Sequence, residues 1–327
     1  MTGSKAQGTG SDRLLPVRIL VRIANGFVNV VIILIFAVLI GYGVFSIWDN
    51  NRILDQASAK AYESYKPAAE KSSLSFTQLQ AMNTDVLGWI TIYGTGIDYP
   101  LVQGENNDEY INRDIDGNFK LSGSIFLESS NAPDFSDFNT IIYGHHMEKD
   151  KMFGDLDKFT DQSYFNSHEY GSIYYEGKLR GLQIFAMAQA DAYDFTLYDP
   201  HVGTSQAAKK AYLDVVFDRA SYARRQAAGT DDHIVMLSTC ADSTNGRYVV
   251  FARITDSVPD DPFAEDAAPS VVRTVTANGT LIWYLVAAAF LAGITILVLV
   301  ILRKRKKERG RADRYLAFPL QKKLYKR

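Results

Sequence analysis

The sequence predicts a mainly β fold, a closed or partly closed β-barrel with inserted helices that is flanked by two transmembrane helices. Three features support this prediction: two long apolar segments without charges, short β-branched and aromatic runs between them, and two helical stretches that interrupt those runs. The 327 residues have a net charge of −2, which gives no general reason to expect binding to nucleic acid. Together these features indicate a membrane-bound β domain.

The two apolar segments, residues 26–48 and 281–302, predict transmembrane helices. Each has more than 20 residues without a charge, and a helix needs about 20 residues to cross the hydrocarbon core of a lipid bilayer. Lysine and arginine lie outside them, in residues 1–25 and in the basic tail 303–327, and such positive flanks stay cytoplasmic. We therefore expect two cytoplasmic termini and an outward-facing middle. A cleavable signal peptide is the alternative for the first segment, although its apolar run is longer than that of most signal peptides.

Residues 49–85 predict a helical extension between the first membrane helix and the β domain. The stretch is rich in alanine, glutamate and lysine, and Pro67 interrupts it. A second helix should follow, with Ser75 as its N-cap. Behind the β domain, residues 258–280 are acidic and contain prolines, so we expect a linker back to the membrane.

Residues 86–257 form the predicted β domain. Seven or eight short runs of β-branched and aromatic residues are separated by glycine, asparagine, aspartate and proline, as strands are separated by turns. One hairpin should turn near Glu176-Gly177. Helical stretches interrupt the strands at residues 151–168 and 205–228. A barrel is the expected arrangement because closure removes exposed strand edges.

Cys240 is the only cysteine of the chain, and it ends the apolar run HIVMLSTC. Outside the membrane, an unpaired cysteine indicates a disulfide to another chain or a reactive thiol, with a buried inert cysteine as the alternative. The pair Asn245-Gly246 predicts a turn, after which the run RYVVFARI returns antiparallel and brings Arg247 close to Cys240. A guanidinium beside a thiol favours the thiolate and can stabilise a developing oxyanion.

A cysteine nucleophile needs a base, and the chain has five histidines. His145 follows a predicted strand that ends at Gly144, at a transition from strand to loop where scaffolds often display catalytic groups. Spacing therefore favours His145 without excluding the others. One of the others should point away from His145, two resemble surface residues and one starts the strand of Cys240: His146, His168, His201 and His233. We expect no metal and no cofactor, because further ligands for a zinc site are not evident.

Four motifs of the chain resemble the sortases, and more closely the class B sortases. They are LSTC followed by GRYVV, NTIIYGHHMEKDKMFGDL, WITIYGTGIDYPLVQGENNDEYINR and SGSIFLE, which together extend over about residues 85–256. The resemblance implies an eight-stranded sortase-type barrel with an N-terminal helical extension. The catalytic residues that it implies are His145, Cys240 and Arg247. The substrate-groove residues that it implies are Asn107, Tyr143 and Ser238.

The resemblance also implies a function. A transpeptidase in the plasma membrane of a Gram-positive bacterium would cleave the C-terminal sorting signal of surface proteins and, through a thioacyl intermediate, join the new carboxyl end to an amine of the cell wall. A C-terminal membrane segment such as 281–302 is typical of pilin-polymerising sortases, usually of class C, so transfer to a lysine of another pilin is the alternative. A cysteine endopeptidase that transfers to water and a non-catalytic membrane scaffold that only binds peptides also stay open.

Overall fold

The computed structural model describes residues 15–58, 62–67, 74–240, 245–264 and 303, and only the backbone of residues 15, 16, 74, 75 and 240. One compact unit, Met1–Phe263, contains the elements described below. The predicted second membrane helix 281–302, like most of the linker 258–280 and of the tail 303–327, lies outside the described residues.

A single long helix, α1 (Leu15–Gln56), contains the first apolar segment. Its most apolar window within Val17–Gln56 has a mean hydropathy of 2.9 and no buried residue, so this part of the helix does not belong to a protein core. Among the described residues, α1 is the one helix long and apolar enough to cross a membrane, and its place near the N-terminus fits an anchor or a signal sequence. The chain becomes buried near the end of α1, where Leu54 and Ala57 are 4% and 2% exposed and Ala57 joins the barrel core.

Two short helices precede the barrel. Residues Glu63–Tyr65 form a 3₁₀ helix, and α2 extends over Leu74–Met82. Because α2 begins one residue before Ser75, the predicted N-cap lies inside the helix. The ring of Phe76 lies edge-on to Tyr174 of the barrel, with the ring centroids 4.9 Å apart. The predicted extension is thus helical at both ends, and α2 covers part of the barrel wall.

Eleven strands and three further helices make up the described β domain. The strands are β1 (Val86–Ile92), β2 (Asp98–Val102), β3 (Ile125–Leu127), β4 (Asn139–Tyr143), β5 (His146–Met147), β6 (Lys151–Met152), β7 (Tyr170–Tyr175), β8 (Lys178–Asp191), β9 (Ala220–Ala223), β10 (Ile234–Cys240) and β11 (Gly246–Thr255). The helices are a 3₁₀ helix (Gly154–Thr160), α3 (Gln162–Ser167) and α4 (Gln206–Arg219).

Eight of these strands close into a barrel, as predicted. Their order is β11-β10-β4-β3-β2-β1-β7-β8, and β8 returns to β11. The pairs β2–β3 and β4–β10 are parallel, and the other pairs of the barrel are antiparallel. β5 and β6 form a separate hairpin, and β9 extends the sheet beside β8.

β9 differs from the prediction for its part of the chain. Residues 205–228 predict one helix, but the chain leaves α4 at Arg219 and pairs Ala220–Ala223 with β8. β7 pairs with β8 only as far as Gln183, so the rest of that edge would stay unpaired without β9. Because an unpaired strand edge is unfavourable, pairing with β8 stabilises an extended conformation here in spite of the local helical pattern.

The strand that ends at Cys240 is buried on both sides. Val235 and Leu237 of β10 belong to the barrel core, whereas Ile234 and Met236 pack with the buried residues of α4. Burial on both faces explains why the run IVML lacks polar alternation. β10 is therefore a central strand, paired with β4 on one side and β11 on the other.

Candidate active site

Three neighbouring strands bring the predicted catalytic residues to one edge of the barrel. β4 and β10 are parallel, with Tyr143 opposite Ser238. His145 and Cys240 each lie two residues beyond this pair, so their backbones leave the sheet at the same edge. β11 returns antiparallel to β10 and places Arg247 opposite Cys240, as the hairpin pattern predicts. Residues 241–244 of the predicted turn lie outside the described residues.

A cavity of about 320 Å³ opens at this edge. The described residues that line it are Asn107, Ile111, Phe126, Tyr143, Gly144, His145, Ser238, Thr239 and Arg247. This set includes all five predicted site residues whose side chains are described. The structure thus brings together side chains from the β2–β3 connection, from the ends of β4 and β10, and from the start of β11.

A main-chain carbonyl holds the imidazole of His145. The Nε2 atom of His145 lies 2.7 Å from the carbonyl oxygen of Ile111. Because a carbonyl oxygen only accepts, Nε2 carries the hydrogen in this contact. In the neutral imidazole the lone pair is then on Nδ1, which can take up a proton. The backbone is held as well, since the amide of Phe153 donates to the carbonyl of His145 at 2.9 Å.

Arg247 and Tyr143 define the electrostatics of the cavity. The half-buried guanidinium of Arg247 donates to the carbonyl of Gly246 at 3.0 Å. Burial, together with the charge and hydrogen bond of Glu128, raises the pKa of Tyr143 well above its usual value, although Arg247 lowers it. The Tyr143 hydroxyl donates a hydrogen bond to Oε2 of Glu128.

Asn107 is held by two hydrogen bonds that fix the orientation of its amide. Its Nδ2 atom donates to Oε2 of Glu128 at 2.6 Å. Its Oδ1 atom accepts from the backbone amide of Ser129 at 2.8 Å. Glu128 also accepts from the Tyr143 hydroxyl at 3.1 Å, so one carboxylate holds two of the predicted substrate-groove residues.

The two residues before Cys240 are almost completely buried. Ser238 is 1% exposed, and its hydroxyl lies 2.8 Å from that of Tyr198. Thr239 is 2% exposed and lines the cavity, and its hydroxyl has no hydrogen-bond partner among the described residues. Both residues line the cavity, but the Ser238 hydroxyl has a partner in Tyr198, whereas the Thr239 hydroxyl has none among the described residues.

Three hydrogen-bonding groups of the site were not predicted from the sequence. Thr239 and Glu128 lie inside the motifs LSTC and SGSIFLE, but nothing in those motifs distinguishes their chemistry. Ile111 contributes a backbone carbonyl, for which a sequence has no signal. The missed contributions thus depend on tertiary contacts.

None of the other four histidines is among the described residues that line the cavity: His146, His168, His201 and His233. The prediction that His168 is a surface residue is wrong, because it is only 8% exposed. Its ring is stacked between Tyr164 and Phe263, with centroids 3.6 Å and 4.7 Å away. Phe263 is remote in the chain, so the polar local sequence conceals this burial. Within the described residues, no group of three or more metal-binding side chains occurs.

The barrel is similar to known proteins. Residues 90–255 match the Sortase domain family. Sortase B of Listeria monocytogenes is 31% identical over 226 residues, which cover 66% of this chain and 89% of that protein. A Streptococcus pyogenes class B sortase involved in pilus biogenesis is 39% identical, with a TM-score of 0.51 over 56% of this chain and 100% of that one. A Staphylococcus aureus sortase B–substrate complex is 26% identical, with a TM-score of 0.58 over 64% and 99% of the two chains.

The family match covers the closed barrel from within β1 to the end of β11, including the residues that line the cavity. The named relatives are sortases B or class B sortases. The similarities therefore favour an enzyme over the non-catalytic membrane scaffold. The chain belongs to the sortase family, with class B relatives, and is a cysteine transpeptidase of the sortase type.

Proposed function

We propose that α1 anchors the protein in the plasma membrane of a Gram-positive bacterium and that the barrel cleaves the C-terminal sorting signal of surface proteins. The observation that supports this reaction best is the register of β4, β10 and β11, which brings the backbones of His145, Cys240 and Arg247 to one edge. The exposed apolar helix α1 supports the anchor. The proposed substrate-binding residues are Asn107, Tyr143 and Ser238.

The proposed division of the chain follows the same scheme. β1 begins at Val86 and β11 ends at Thr255, which supports a catalytic barrel over residues 86–257. Its proposed surroundings are a cytoplasmic segment 1–25, a membrane helix 26–48, an extension 49–85, a linker 258–280, a second membrane helix 281–302 and a basic cytoplasmic tail 303–327.

In the first proposed step, the thiolate of Cys240 attacks the carbonyl carbon of a Thr–Gly-type peptide bond. A carbon–sulfur bond forms, the carbon–nitrogen bond breaks, and the His145 imidazolium gives its proton to the leaving amine. Arg247 offers N–H donors to the oxyanion of the tetrahedral intermediate. The result is a thioacyl enzyme and a released C-terminal fragment.

In the second step, an acceptor amine attacks the thioacyl carbon and the sulfur leaves as thiolate. His145 takes the proton that the amine loses, which restores the thiolate–imidazolium pair. The contact between Nε2 and Ile111 supports this role because it leaves Nδ1 to receive the proton. No cofactor is required, since the steps move only one acyl group and one proton.

These proton transfers predict a bell-shaped dependence of kcat/KM on pH. Activity needs a thiolate and a protonated imidazole at once, so it should fall on both the acidic and the alkaline side. Initial rates of peptide cleavage between pH 5 and 10 measure this profile. A monotonic rise to high pH would contradict the acid role of His145.

The acceptor has two candidates. An amine of a cell-wall peptide is the first, and the similarity of the barrel to class B sortases favours it. A lysine of another pilin is the second. The relative involved in pilus biogenesis, which is 39% identical to this chain, favours this second candidate.

Product analysis tests the proposal. Full-length protein in lipid vesicles is incubated with quenched peptides that contain a Thr–Gly bond, with either a wall-type peptide amine or a lysine peptide as acceptor. We expect ligated product with one acceptor in preference to the other, and loss of cleavage and ligation in Cys240→Ala. Cleavage without ligation would indicate an endopeptidase, and unchanged cleavage by Cys240→Ala would contradict the mechanism.

A further inference from the structure

Glu128, the residue after β3, is a hydrogen-bond hub next to the cavity. Its carboxylate accepts from Nδ2 of Asn107 at 2.6 Å and from the Tyr143 hydroxyl at 3.1 Å, both on Oε2. Oε1 accepts from the amide and hydroxyl of Ser130 at 3.2 Å and 3.0 Å and from the hydroxyl of Ser129 at 3.4 Å. Among the described residues, no lysine, arginine or histidine forms an ion pair with Glu128.

The carboxylate of Glu128 determines whether Tyr143 and Asn107, its two neighbours in the cavity wall, can donate a hydrogen bond to a ligand or accept one from it. An ionised carboxylate only accepts, so Tyr143 must donate to it and retains only acceptor capacity for a ligand. The Oδ1 atom of Asn107 faces the Ser129 amide and one N–H faces Glu128, so the second N–H is the donor that remains. Glu128 is not itself among the residues that line the cavity.

We propose that Glu128 is a positioning residue for substrate recognition, which presents Tyr143 as an acceptor and Asn107 as a donor to the peptide in the groove. The matching substrate has an N–H donor, from its main chain or a side-chain amide, opposite Tyr143 and a carbonyl oxygen opposite Asn107. The inference rests on the proposed function, since it concerns the peptide groove of the same reaction. Glu128 would thus contribute to specificity without touching the reacting atoms.

The test compares Glu128→Gln with wild type in the full-length protein. The probe is the quenched Thr–Gly peptide that wild type cleaves fastest. The neutral amide weakens two charge-assisted hydrogen bonds, so KM should rise about five- to tenfold while kcat stays within about twofold. Glu128→Met replaces the carboxylate by a thioether, which is only a weak acceptor, and should raise KM further. The matched control is Glu176→Gln, an exposed glutamate of the β7–β8 turn, which should behave like wild type.

Two readouts separate positioning from a merely structural role. In a Tyr143→Phe background, Glu128→Gln should raise KM by a smaller factor than in wild type, because Glu128 then has less to orient. In a second experiment, single backbone N–H groups of the peptide are replaced by ester oxygens. At the position that faces Tyr143, this replacement should weaken binding to wild type more than it weakens binding to Glu128→Gln. An unchanged KM, or a fall in kcat that matches the loss of thermal stability, would overturn the inference. In those cases wild type still cleaves the peptide, whereas failure of the proposed function would leave wild type itself inactive.

Discussion

The contact between His145 and the Ile111 carbonyl predicts the tautomer of the neutral imidazole. The carbonyl lies 2.7 Å from Nε2 and can only accept, so neutral His145 should be the Nε2–H tautomer. Nitrogen-15 NMR of the histidine side chains, assigned with a His145→Gln variant, measures the tautomer. A dominant Nδ1–H form would contradict the orientation on which the proposed proton transfer depends.

Tyr99 joins the end of the α1 segment to the hairpin that follows His145. Its buried hydroxyl donates to the carbonyl of Ala57 at 3.1 Å and accepts from the amide of Met152 at 2.9 Å. Met152 has a φ of 53°, an unusual conformation for a residue other than glycine. Tyr99→Phe leaves both backbone groups unsatisfied, so we expect a loss of about 1–3 kcal/mol in the free energy of unfolding. Urea denaturation measures it, and an unchanged midpoint would contradict the role.

The burial of Tyr99 also predicts that the free energy of unfolding decreases at alkaline pH. Burial raises the pKa of Tyr99 from 10.0 to about 12. Because the folded pKa lies above the unfolded one, the associated stability is fully present below pH 10 and is lost as pH rises through 12. The loss should be on the order of 2–3 kcal/mol. Unfolding free energies between pH 9 and 12 should fall less steeply for Tyr99→Phe, and parallel slopes would exclude this contribution.

Within the β2–β3 connection, Gly123 allows the close backbone approach that keeps the Ile111 carbonyl beside His145. Gly123 has a φ of +56°, and a Cβ there would collide with the carbonyl oxygens of Ile111 and Tyr110. Gly123→Ala should therefore displace the acceptor of His145 and lower kcat/KM by roughly tenfold to a hundredfold. Peptide cleavage kinetics measure the effect.

Gly117 of the same connection supplies the matched control. Its φ is +82°, but a Cβ there would meet no atom within 4 Å. Gly117→Ala thus introduces similar backbone strain without a collision. Equal losses of activity in Gly117→Ala and Gly123→Ala would show that strain, and not the displaced carbonyl, is responsible.

Elements with a strong local pattern could be predicted from the sequence. The hairpin at Glu176-Gly177 has φ angles of 49° and 73°, as a two-residue turn with left-handed residues requires. The β10–β11 pairing of Cys240 with Arg247 follows likewise from one apolar run, a turn signal and a second run. β9 and the burial of His168 could not be predicted, because each depends on a partner remote in the chain, the free edge of β8 and the ring of Phe263.

In the whole molecule, the end of the long helix α1 and the barrel share buried contacts. Leu54 in the last turn of α1 and Ala57 directly after the helix are buried, and the carbonyl of Ala57 accepts the hydrogen bond of Tyr99. A protein without residues 1–48 should leave the membrane fraction yet keep its thermal stability and peptide cleavage. Removal of residues 1–73 should lower the melting temperature, because these contacts are lost. Carbonate extraction and thermal unfolding of both truncated proteins measure this, and equal melting temperatures would contradict the role of the α1 end.

The proposed mechanism requires that Cys240 forms a covalent bond with the substrate at the edge shared by β4, β10 and β11. This bond can be detected by mass spectrometry of the protein after incubation with a Thr–Gly peptide in the absence of an acceptor amine. We predict a mass increase equal to the N-terminal peptide fragment, located on Cys240 by digestion and removed by added amine. Cleaved peptide with no adduct on Cys240, or an adduct that amine does not remove, would contradict the claim.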